Sequence, residues 1–289
     1  MRYLLACIGI AVTATSTLAQ PRSGVVTLPD GTVPYEIQGN GTPVVLIHGW
    51  TQNMNIWDEQ VPVFARHFRV IRYDVRGFGR STGHVDQTAQ ASDLAALLDS
   101  LKIPSASLVG LSMGADIALN FTVNYPDRVR ALVLYGAPPV QGFSVAPPPS
   151  FMALFESLPV IAKTHGLDSL RAVIGASELA WMPPNRPDIA PKLDKAWRGY
   201  TGRDLTDPRP PSNRVPPTRL DQLNAIRVPT LVIHGDHEVG WFRQFNDTLL
   251  ARVPGAKRVI IAEGGHGAHF AHPDAFNRAV LDFLRQASP

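Results

Sequence analysis

Residues 110–114 of this chain read Gly-Leu-Ser-Met-Gly, and this segment constrains the fold more than any other. The preceding residues 107–109 form an apolar stretch typical of a buried strand, and residues 115–121 carry apolar side chains at helical spacing. Strand, tight turn and helix form the context of a G-x-S-x-G nucleophile elbow, in which the serine hydroxyl projects above a sheet. Glycine is expected on both sides because a β-carbon there would collide with the neighbouring strand or helix. We therefore predict that Ser112 is a nucleophile; the alternative is a glycine-rich turn with an incidental serine.

Length and composition are those of one catalytic domain with an insertion. The chain has 289 residues, 45% of them hydrophobic, and a formal net charge of only +3. Lysine and arginine are scattered and form no basic stripe with interleaved aromatic residues, so the sequence does not favour a nucleic-acid partner. It contains no H-E-x-x-H zinc motif, no glycine-rich phosphate loop and no dinucleotide fingerprint. We expect neither a cofactor nor a metal.

Residues 1–19 have the composition of a secretory signal peptide. Arg2 supplies a positive start, residues 4–12 are an apolar run, and small residues stand before Gln20. The run is too short for a membrane anchor. Cys7, the only cysteine, would leave with the signal; it precedes the apolar run rather than following it, which argues against a lipoprotein cleavage box. We expect a periplasmic or secreted protein without a stable membrane anchor.

The rest of the chain alternates short apolar runs with helical segments. Eight runs are strand candidates: residues 24–28, 33–37, 44–47, 70–73, 107–111, 131–135, 230–233 and 258–261. The main helix candidates are residues 88–101, 115–124, 241–252 and 273–286. The first two strands are joined by a Pro-Asp-Gly turn, which predicts an antiparallel hairpin at a sheet edge. The later strands are apolar throughout, so we predict an α/β fold with a doubly wound, mostly parallel eight-stranded sheet.

This alternation breaks between residues 138 and 223. The segment is rich in proline but also carries large apolar side chains, which a disordered linker would lack. We predict a cap inserted into a core of residues 20–137 and 224–289; the cap is expected to be partly helical at 151–158 and 168–181 and irregular after that. The alternative is an ordinary surface insertion. Large cap aromatics predict an apolar substrate pocket, and they are Phe151, Phe155, Trp181 and Trp197.

A serine nucleophile needs a base, and the base needs an acid that orients it. The candidate base is His266, which lies in a Gly-Gly-His-Gly loop between the last apolar run and the last helix. Of the nine histidines, His269 and His272 are the nearest alternatives, whereas His48 and His234 have the positions of structural turn residues. The acid should follow a strand that lies between the serine and the histidine in sequence.

Two acids meet that requirement. The strand at 230–233 is followed by Asp236 and Glu238, and the residues alone leave the choice between them open. Two backbone amides should form the oxyanion hole: that of Met113, directly after the nucleophile, and that of Trp50, in the loop after the third strand. The Trp50 indole is a candidate pocket wall or a buried aromatic.

Four segments together resemble the α/β-hydrolase superfamily. They are the oxyanion-type loop at 45–50, the D-x-R-G-x-G-x-S turn at 74–81, the elbow at 110–114 and the acid-bearing strand at 228–238. The turn is similar to that of haloperoxidase-like, epoxide-hydrolase-like and esterase-like members, and the elbow suits a serine-esterase or lactonase-like branch. In such relatives the acid usually stands three residues after the strand's glycine, which implies Glu238. This chain departs from the pattern because glutamate replaces the usual aspartate and the proline that often follows is absent.

The resemblance implies a small-molecule hydrolase. Epoxide hydrolases and haloalkane dehalogenases use an aspartate at the elbow, whereas Ser112 suits attack on a carbonyl. We expect a serine hydrolase that cleaves a small-to-medium carboxylic ester or lactone through an acyl-enzyme on Ser112, His266 and Glu238. Three alternatives remain: a C–C bond hydrolase, a cofactor-free perhydrolase on the same residues, or a ligand-binding protein of the same fold without turnover.

Overall fold

A computed structural model of the chain describes residues 20–180, 187–212 and 214–287. The predicted signal segment, residues 1–19, lies outside this range and stays a prediction. Within the described ranges no helix has the length and apolar character needed to span a bilayer.

Eight strands form a single sheet in the order β1-β2-β4-β3-β5-β6-β7-β8. Their bounds are β1 Arg22–Leu28, β2 Gly31–Gln38, β3 Pro43–Ile47, β4 Arg69–Tyr73, β5 Ala106–Leu111, β6 Val129–Tyr135, β7 Thr230–Gly235 and β8 Lys257–Ile261. β2 pairs antiparallel with β1 and β4, and all other neighbours are parallel. The predicted fold class is confirmed, with the hairpin at the edge of the sheet.

Helices cover both faces of this sheet, which is why its central strands are apolar throughout. Every residue of β5 and of β7 is buried. The helices of the core are α1 Val61–Phe64, α2 Gln90–Ser100, α3 Met113–Asn124, α8 Gly240–Arg252, α9 Ala268–Ala271 and α10 Pro273–Ala287. α2, α3 and α8 pack on one face, and α1 and α10 pack on the other. The sheet is therefore doubly wound, as the alternation of runs and helices predicts.

The amphipathic pattern of α10 shows how the sequence closes one face. Phe276, Val280 and Leu284 lie four residues apart and are fully buried, whereas Arg278 and Asp282 are exposed. Burying an apolar side chain of this size contributes roughly 1.5–3 kcal/mol. Because these residues pack against β6 and against the Trp57 region, α10 also fixes the loop that precedes it.

Four helices lie between β6 and β7, above the carboxyl ends of the strands. They are α4 Pro149–Thr164, α5 Gly166–Gly175, α6 Ile189–Trp197 and α7 Arg203–Thr206. We call this group the cap. The predicted helix at 151–158 lies within α4. The second predicted helix was too long, because α5 ends at Gly175 and a separate 3-10 turn follows at Glu178–Ala180. The predicted boundaries at 138 and 223 stay a prediction.

The sequence analysis treated the later part of the cap as irregular, and this was wrong for α6 and α7. Pro191 lies in the first turn of α6, where proline removes no intrahelical hydrogen bond. α6 is attached to the core by polar contacts: the Asn53 side chain donates to the carbonyls of Lys195 (3.1 Å) and Arg198 (2.9 Å), and Lys195 pairs with Asp58. The high proline content therefore led to a prediction of irregular structure where an ordered helix is present.

The first turn of α3 lies very close to the backbone of β3 and β5. A β-carbon on Gly114 would lie 2.2 Å from the carbonyl oxygen of Ile47 in β3. A β-carbon on Gly110 would lie 2.2 Å from the carbonyl oxygen of Gly114 itself. Both atoms that would be struck belong to backbone, so no side-chain movement relieves the overlap. The collision expected from the sequence is present at both glycines.

Replacing Gly114 by alanine should therefore destabilise the fold. We expect Gly114→Ala to lower the free energy of unfolding by about 3 kcal/mol or more, because an overpacked backbone contact cannot relax. Urea unfolding followed by circular dichroism measures the loss.

Gly240→Ala is the matched control. Gly240 also begins a helix, but nothing lies within 4 Å of the position of its β-carbon, so this substitution should leave stability unchanged or slightly raised. Equal unfolding free energies for the two variants would contradict the steric argument.

Candidate active site

Ser112 occupies the junction between β5 and α3 in a strained backbone conformation. Its φ and ψ are 53° and −118°, a region that few residues other than glycine adopt. Its amide donates to the carbonyl of Tyr135 on the neighbouring strand β6, at 2.9 Å. The residue thus combines positive φ with a hydrogen bond that holds it in place, and strain of this kind collects at functional sites.

His266 and Glu238 form a buried pair across the ends of β7 and β8. The Nδ1 atom of His266 lies 2.8 Å from Oε1 of Glu238, and their side chains are 9% and 0% exposed. The same carboxylate oxygen accepts the amide of Val239 at 3.0 Å. A carboxylate on Nδ1 fixes the tautomer of the imidazole and leaves Nε2 able to accept a proton.

Asp236, the other candidate acid, contacts the backbone of the histidine loop. Its two carboxylate oxygens accept the amides of Glu263 and Gly264, each at 3.0 Å. Partial burial alone would raise the pKa of Asp236, but these two amides hold it below its ordinary value of 3.8. The structure therefore pairs Glu238 with His266 and pairs Asp236 with the loop that carries His266.

Tyr135 connects the nucleophile to the histidine loop, and the sequence analysis missed it. Its carbonyl accepts the Ser112 amide, while its hydroxyl donates to the carbonyl of Gly265 at 2.9 Å and accepts the amide of Ala268 at 2.5 Å. Burial, and secondly the charge of Glu238, raise the pKa of Tyr135 well above its ordinary value, so the hydroxyl stays protonated. The sequence signal that could have identified Tyr135 is its position as the last residue of β6, the strand next to β5.

Gly136 was missed for a related reason. It follows β6 with φ of +55°, and a β-carbon there would lie 2.7 Å from Cε1 of His266 and 2.8 Å from Oε2 of Glu238. No acidic residue directly follows β6, and Gly136 was not among the predicted site residues. The end of β6 contributes space to the site, because only glycine at position 136 lets the side chains of His266 and Glu238 pack against the backbone there.

The loop after β3 lies beside Ser112. A β-carbon on Gly49 would come within 3.4 Å of the Ser112 β-carbon. His48, held neutral by burial that lowers its pKa, bonds the Gly49 carbonyl through Nδ1 (2.8 Å) and accepts the Val75 amide at Nε2 (2.9 Å). Thr51 has φ of 65°, which is a strained conformation for a β-branched residue. This loop therefore carries Trp50 on a rigid, strained turn.

The two predicted oxyanion donors are the amides of Met113 and Trp50. Met113 is the first residue of α3, so its amide has no acceptor within the helix. Trp50 lies in the loop after β3 and lines the same cavity as Ser112. Its indole N–H donates to Asp204 of the cap at 2.6 Å, so the side chain links the core to α7.

A cavity of about 350 Å³ opens between the sheet and the cap. Ser112 and His266 both line it. Its other lining residues are Gly49, Trp50, Thr51, Gln52, Ile174, Gly175, Leu179, Ala180, Ile189, Ala190, Leu193, Trp197, Gly267, His269 and Phe270. Among these described lining residues there is no Asp, Glu, Lys or Arg. The site is an apolar chamber with the serine and the histidine at its base.

Two of the predicted substrate-binding residues lie elsewhere. Phe151 and Phe155 are absent from the described cavity lining; they stack on each other with ring centroids 4.6 Å apart. Phe155 stacks on Trp50 at 5.6 Å, and Phe151 contacts Phe242, which lies 5.5 Å from His266. They form an aromatic row beside the chamber. Its cap wall comes instead from α5, the 3-10 turn and α6, including Trp197.

Other predictions have simple outcomes. Trp181 lies outside the described residues. His272 bonds the carbonyl of Glu263 on the surface (2.8 Å), and His234 bonds the carbonyl of Gly235 (2.9 Å). His269 is buried and lines the chamber. The described residues contain no group of three or more His, Cys, Asp or Glu side chains suited to holding a metal ion.

Comparisons with known proteins identify the family of this chain. The profile of the alpha/beta hydrolase fold family matches residues 42–273, and the chain belongs to this family. It is 30% identical to a 2-hydroxy-6-oxononadienedioate/2-hydroxy-6-oxononatrienedioate hydrolase of Paraburkholderia phymatum, over 95% of this chain and 99% of that protein. It is also 30% identical to a non-heme haloperoxidase of Rhodococcus erythropolis, over 90% of this chain and 98% of that protein.

A solved structure has the same fold. A thermophilic esterase from Thermogutta terrifontis superposes with a TM-score of 0.74 at 25% identity, covering 94% of this chain and all of that one. Together, these relatives share one fold but are named for different reactions, those of a dienedioate hydrolase, a haloperoxidase and an esterase, so the choice among reactions depends on this chain's own site.

The hydrogen bonds of Asp236 make a prediction about pH. Because its pKa is lower in the folded protein than in the unfolded chain, its charge contributes stability above about pH 4, and this contribution is lost as the pH falls through the folded pKa. Asp236→Asn should therefore be less stable than the parent at neutral pH. The difference should shrink towards about pH 2.

Urea unfolding of both proteins across this pH range checks the sign. The carboxylate is 43% exposed, so solvent screening should keep the difference modest. A stability difference that grows as the pH falls would contradict the assignment.

Proposed function

We propose that this protein is a serine hydrolase that cleaves small-to-medium, uncharged carboxylic esters or lactones through an acyl-enzyme. One observation carries the proposal: the buried His266–Glu238 pair faces the same chamber as a serine held at positive φ on an elbow. A neutral serine hydroxyl is a weak nucleophile, and a buried imidazole oriented by a carboxylate is what activates it.

The proposed reaction uses these groups in order. Ser112 Oγ attacks the carbonyl carbon, and Nε2 of His266 takes the hydroxyl proton. The amides of Met113 and Trp50 bind the oxyanion, and Glu238 stabilises the imidazolium. His266 then returns the proton to the departing alcohol, which leaves Ser112 acylated. Water repeats the sequence, with His266 as base, and releases the acid and the free enzyme.

The walls of the chamber support an uncharged substrate of limited size. Its volume of about 350 Å³ is at the small end of the roughly 300–1,000 Å³ usual for ligand sites. Its described walls are mainly aliphatic and aromatic and carry no ionised group besides the proposed base. A charged acyl chain would lose its hydration there without gaining a partner.

C–C bond hydrolysis is a second candidate, because a relative of 30% identity is named for hydrolysis of a dienedioate. That substrate, by its name, carries two carboxylates. The described chamber walls of this chain offer neither lysine nor arginine to pair with them. The haloperoxidase relative makes perhydrolysis a further candidate reaction, in which hydrogen peroxide would replace water in deacylation. Ester and lactone hydrolysis fit the chamber better than the dienedioate reaction does.

Removing the Ser112 hydroxyl tests the proposal. Ser112→Ala should lower kcat/KM for p-nitrophenyl butyrate by on the order of 10³-fold or more, because no other group can form the acyl-enzyme. A fluorophosphonate probe should label the parent and leave the variant unlabelled, and thermal unfolding should confirm that both are folded. Full esterase activity in Ser112→Ala would refute the proposal. A folded parent that neither labels nor turns over would favour a binding protein.

The two acids provide a matched pair. Glu238→Gln should lower kcat by on the order of 10²- to 10⁴-fold with little change in KM, because the imidazolium loses its counter-charge. Asp236→Asn, two residues away, should retain kcat within about tenfold at neutral pH, since the Asp236 carboxylate accepts its hydrogen bonds from loop backbone, whereas Glu238 is the acid paired with His266. Steady-state kinetics on the same ester measure both variants. The reverse ranking would assign the acid to Asp236.

A further inference from the structure

The chamber contains buried polar atoms that its own walls do not satisfy. His269 is 1% exposed and lines the chamber, yet neither of its ring nitrogens has a hydrogen-bond partner among the described residues. The indole N–H of Trp197, which lines the chamber from the cap, also has none. α6 and α9, which carry these two side chains, pack against each other. The two unsatisfied groups therefore lie on adjoining walls of one chamber.

Such atoms require an explanation. Most buried polar groups in native proteins are hydrogen-bonded, because an unpaired one loses its hydration and receives nothing in return. Ligand sites are the common exception, since they combine apolar walls with a few polar atoms that are satisfied only when the ligand is present. The chamber above Ser112 has this composition.

The position of the His269 imidazole is fixed by neighbouring residues. Gln60 donates from its side-chain amide to the His269 carbonyl at 3.1 Å, and the imidazole stacks on Phe270 at 4.4 Å. Trp57 lies against the ring at 5.4 Å. A side chain fixed by packing and by its backbone presents its polar atoms at a constant position, which is a requirement for recognition.

The protonation state of His269 narrows the chemistry that it can recognise. Burial, and secondly the neighbouring His266, lower the pKa of His269 to about 3, so the ring is neutral at ordinary pH. A neutral imidazole offers one N–H donor and one acceptor, and the Trp197 indole adds a second donor. Two donors and one acceptor suit an uncharged oxygen, either a carbonyl or a hydroxyl, and give a carboxylate no positive partner.

We propose that His269 and Trp197 form a polar subsite that binds a second, uncharged oxygen of the substrate, away from the bond that is cleaved. This inference rests on the proposed ester or lactone hydrolysis and narrows it to oxygenated substrates, such as oxo- or hydroxy-substituted esters. His269 is then a specificity-determining residue rather than a second base.

Two series of matched esters test the subsite. The first is a set of p-nitrophenyl esters in which a carbonyl replaces one methylene at successive positions of the acyl chain; the second places the carbonyl in the alcohol chain of butanoate esters. The quantity measured is kcat/KM of each oxo ester divided by that of its hydrocarbon counterpart. We expect this ratio to reach about tenfold at one position in the parent, as for one gained hydrogen bond.

The variants remove the polar atoms and keep the rings. His269→Phe and Trp197→Phe should each bring the ratio close to one, whereas His269→Gln, which keeps a donor and an acceptor, should retain part of it. His269→Phe should also unfold at the same temperature as the parent or higher, because it replaces an unsatisfied imidazole by an apolar ring. If His269→Phe does not fold, Trp197→Phe tests the same ratio from the cap side.

Asn246→Leu is the matched control. Asn246 is fully buried in α8, neither of its amide atoms has a partner among the described residues, and it is not a described part of the chamber lining. Removing this unsatisfied amide should change stability but should not alter the ratio. A ratio that changes as much in Asn246→Leu as in His269→Phe would overturn the subsite.

The outcomes separate the two proposals. Ratios near one at every position of both series, with hydrolysis still dependent on Ser112, overturn the subsite and leave the hydrolase intact. A parent that hydrolyses neither series and resists fluorophosphonate labelling overturns both. A ratio of about tenfold that is lost in both phenylalanine variants and kept in Asn246→Leu supports the subsite.

Discussion

The close approach of α3 to β3 and β5 is the contact on which the rest of the site depends. Two glycines, Gly110 and Gly114, let the backbone of the first helical turn lie against both strands, and Ser112 is forced into positive φ between them. The elbow then stands at the edge where the parallel strands end. Because that edge also ends β3, β6, β7 and β8, the loops after these strands meet there, and Ser112 and His266 line one chamber although they are 154 residues apart in sequence.

The strand between the nucleophile and the acid organises this edge. β6 ends in Tyr135, whose carbonyl holds the Ser112 amide and whose hydroxyl holds the histidine loop, and Gly136 then leaves room for the histidine–glutamate pair. A single strand end thus sets the relative position of the proposed nucleophile and the proposed base. Asp236 holds the same loop from β7, so the position of His266 is determined from two sides.

Elements buried on both faces were predictable from the sequence, because continuous apolar runs such as those of β5 and β7 have few alternative placements. The cap was less predictable. Proline concealed α6, and the size of Phe151 and Phe155 could not reveal that these rings stack in a row while smaller residues such as Ile174 and Leu193 line the chamber. A hydrophobic pattern identifies which side chains are buried; it does not identify the surface against which each one is buried.

The sequence pattern also could not identify which acidic residue pairs with His266. Asp236 and Glu238 are two residues apart in one turn. The conformation of that turn places Glu238 beside the imidazole and Asp236 beside the Gly264 amide, so residue type could not distinguish them. Only the resemblance to a family favoured Glu238.

Strained backbone conformations and unsatisfied polar atoms occur together near the carboxyl ends of the strands. Four non-glycine residues in the described ranges have positive φ, and three of them, Thr51, Ser112 and Glu263, lie in loops around the proposed site; the fourth, Lys102, precedes β5 at the opposite edge. His269 and Trp197, which line the chamber in this region, carry unsatisfied polar atoms. Strain and unmet hydrogen bonds both reduce stability, so the surrounding core must hold such groups in place. Their coincidence at one chamber argues for function there independently of the serine motif.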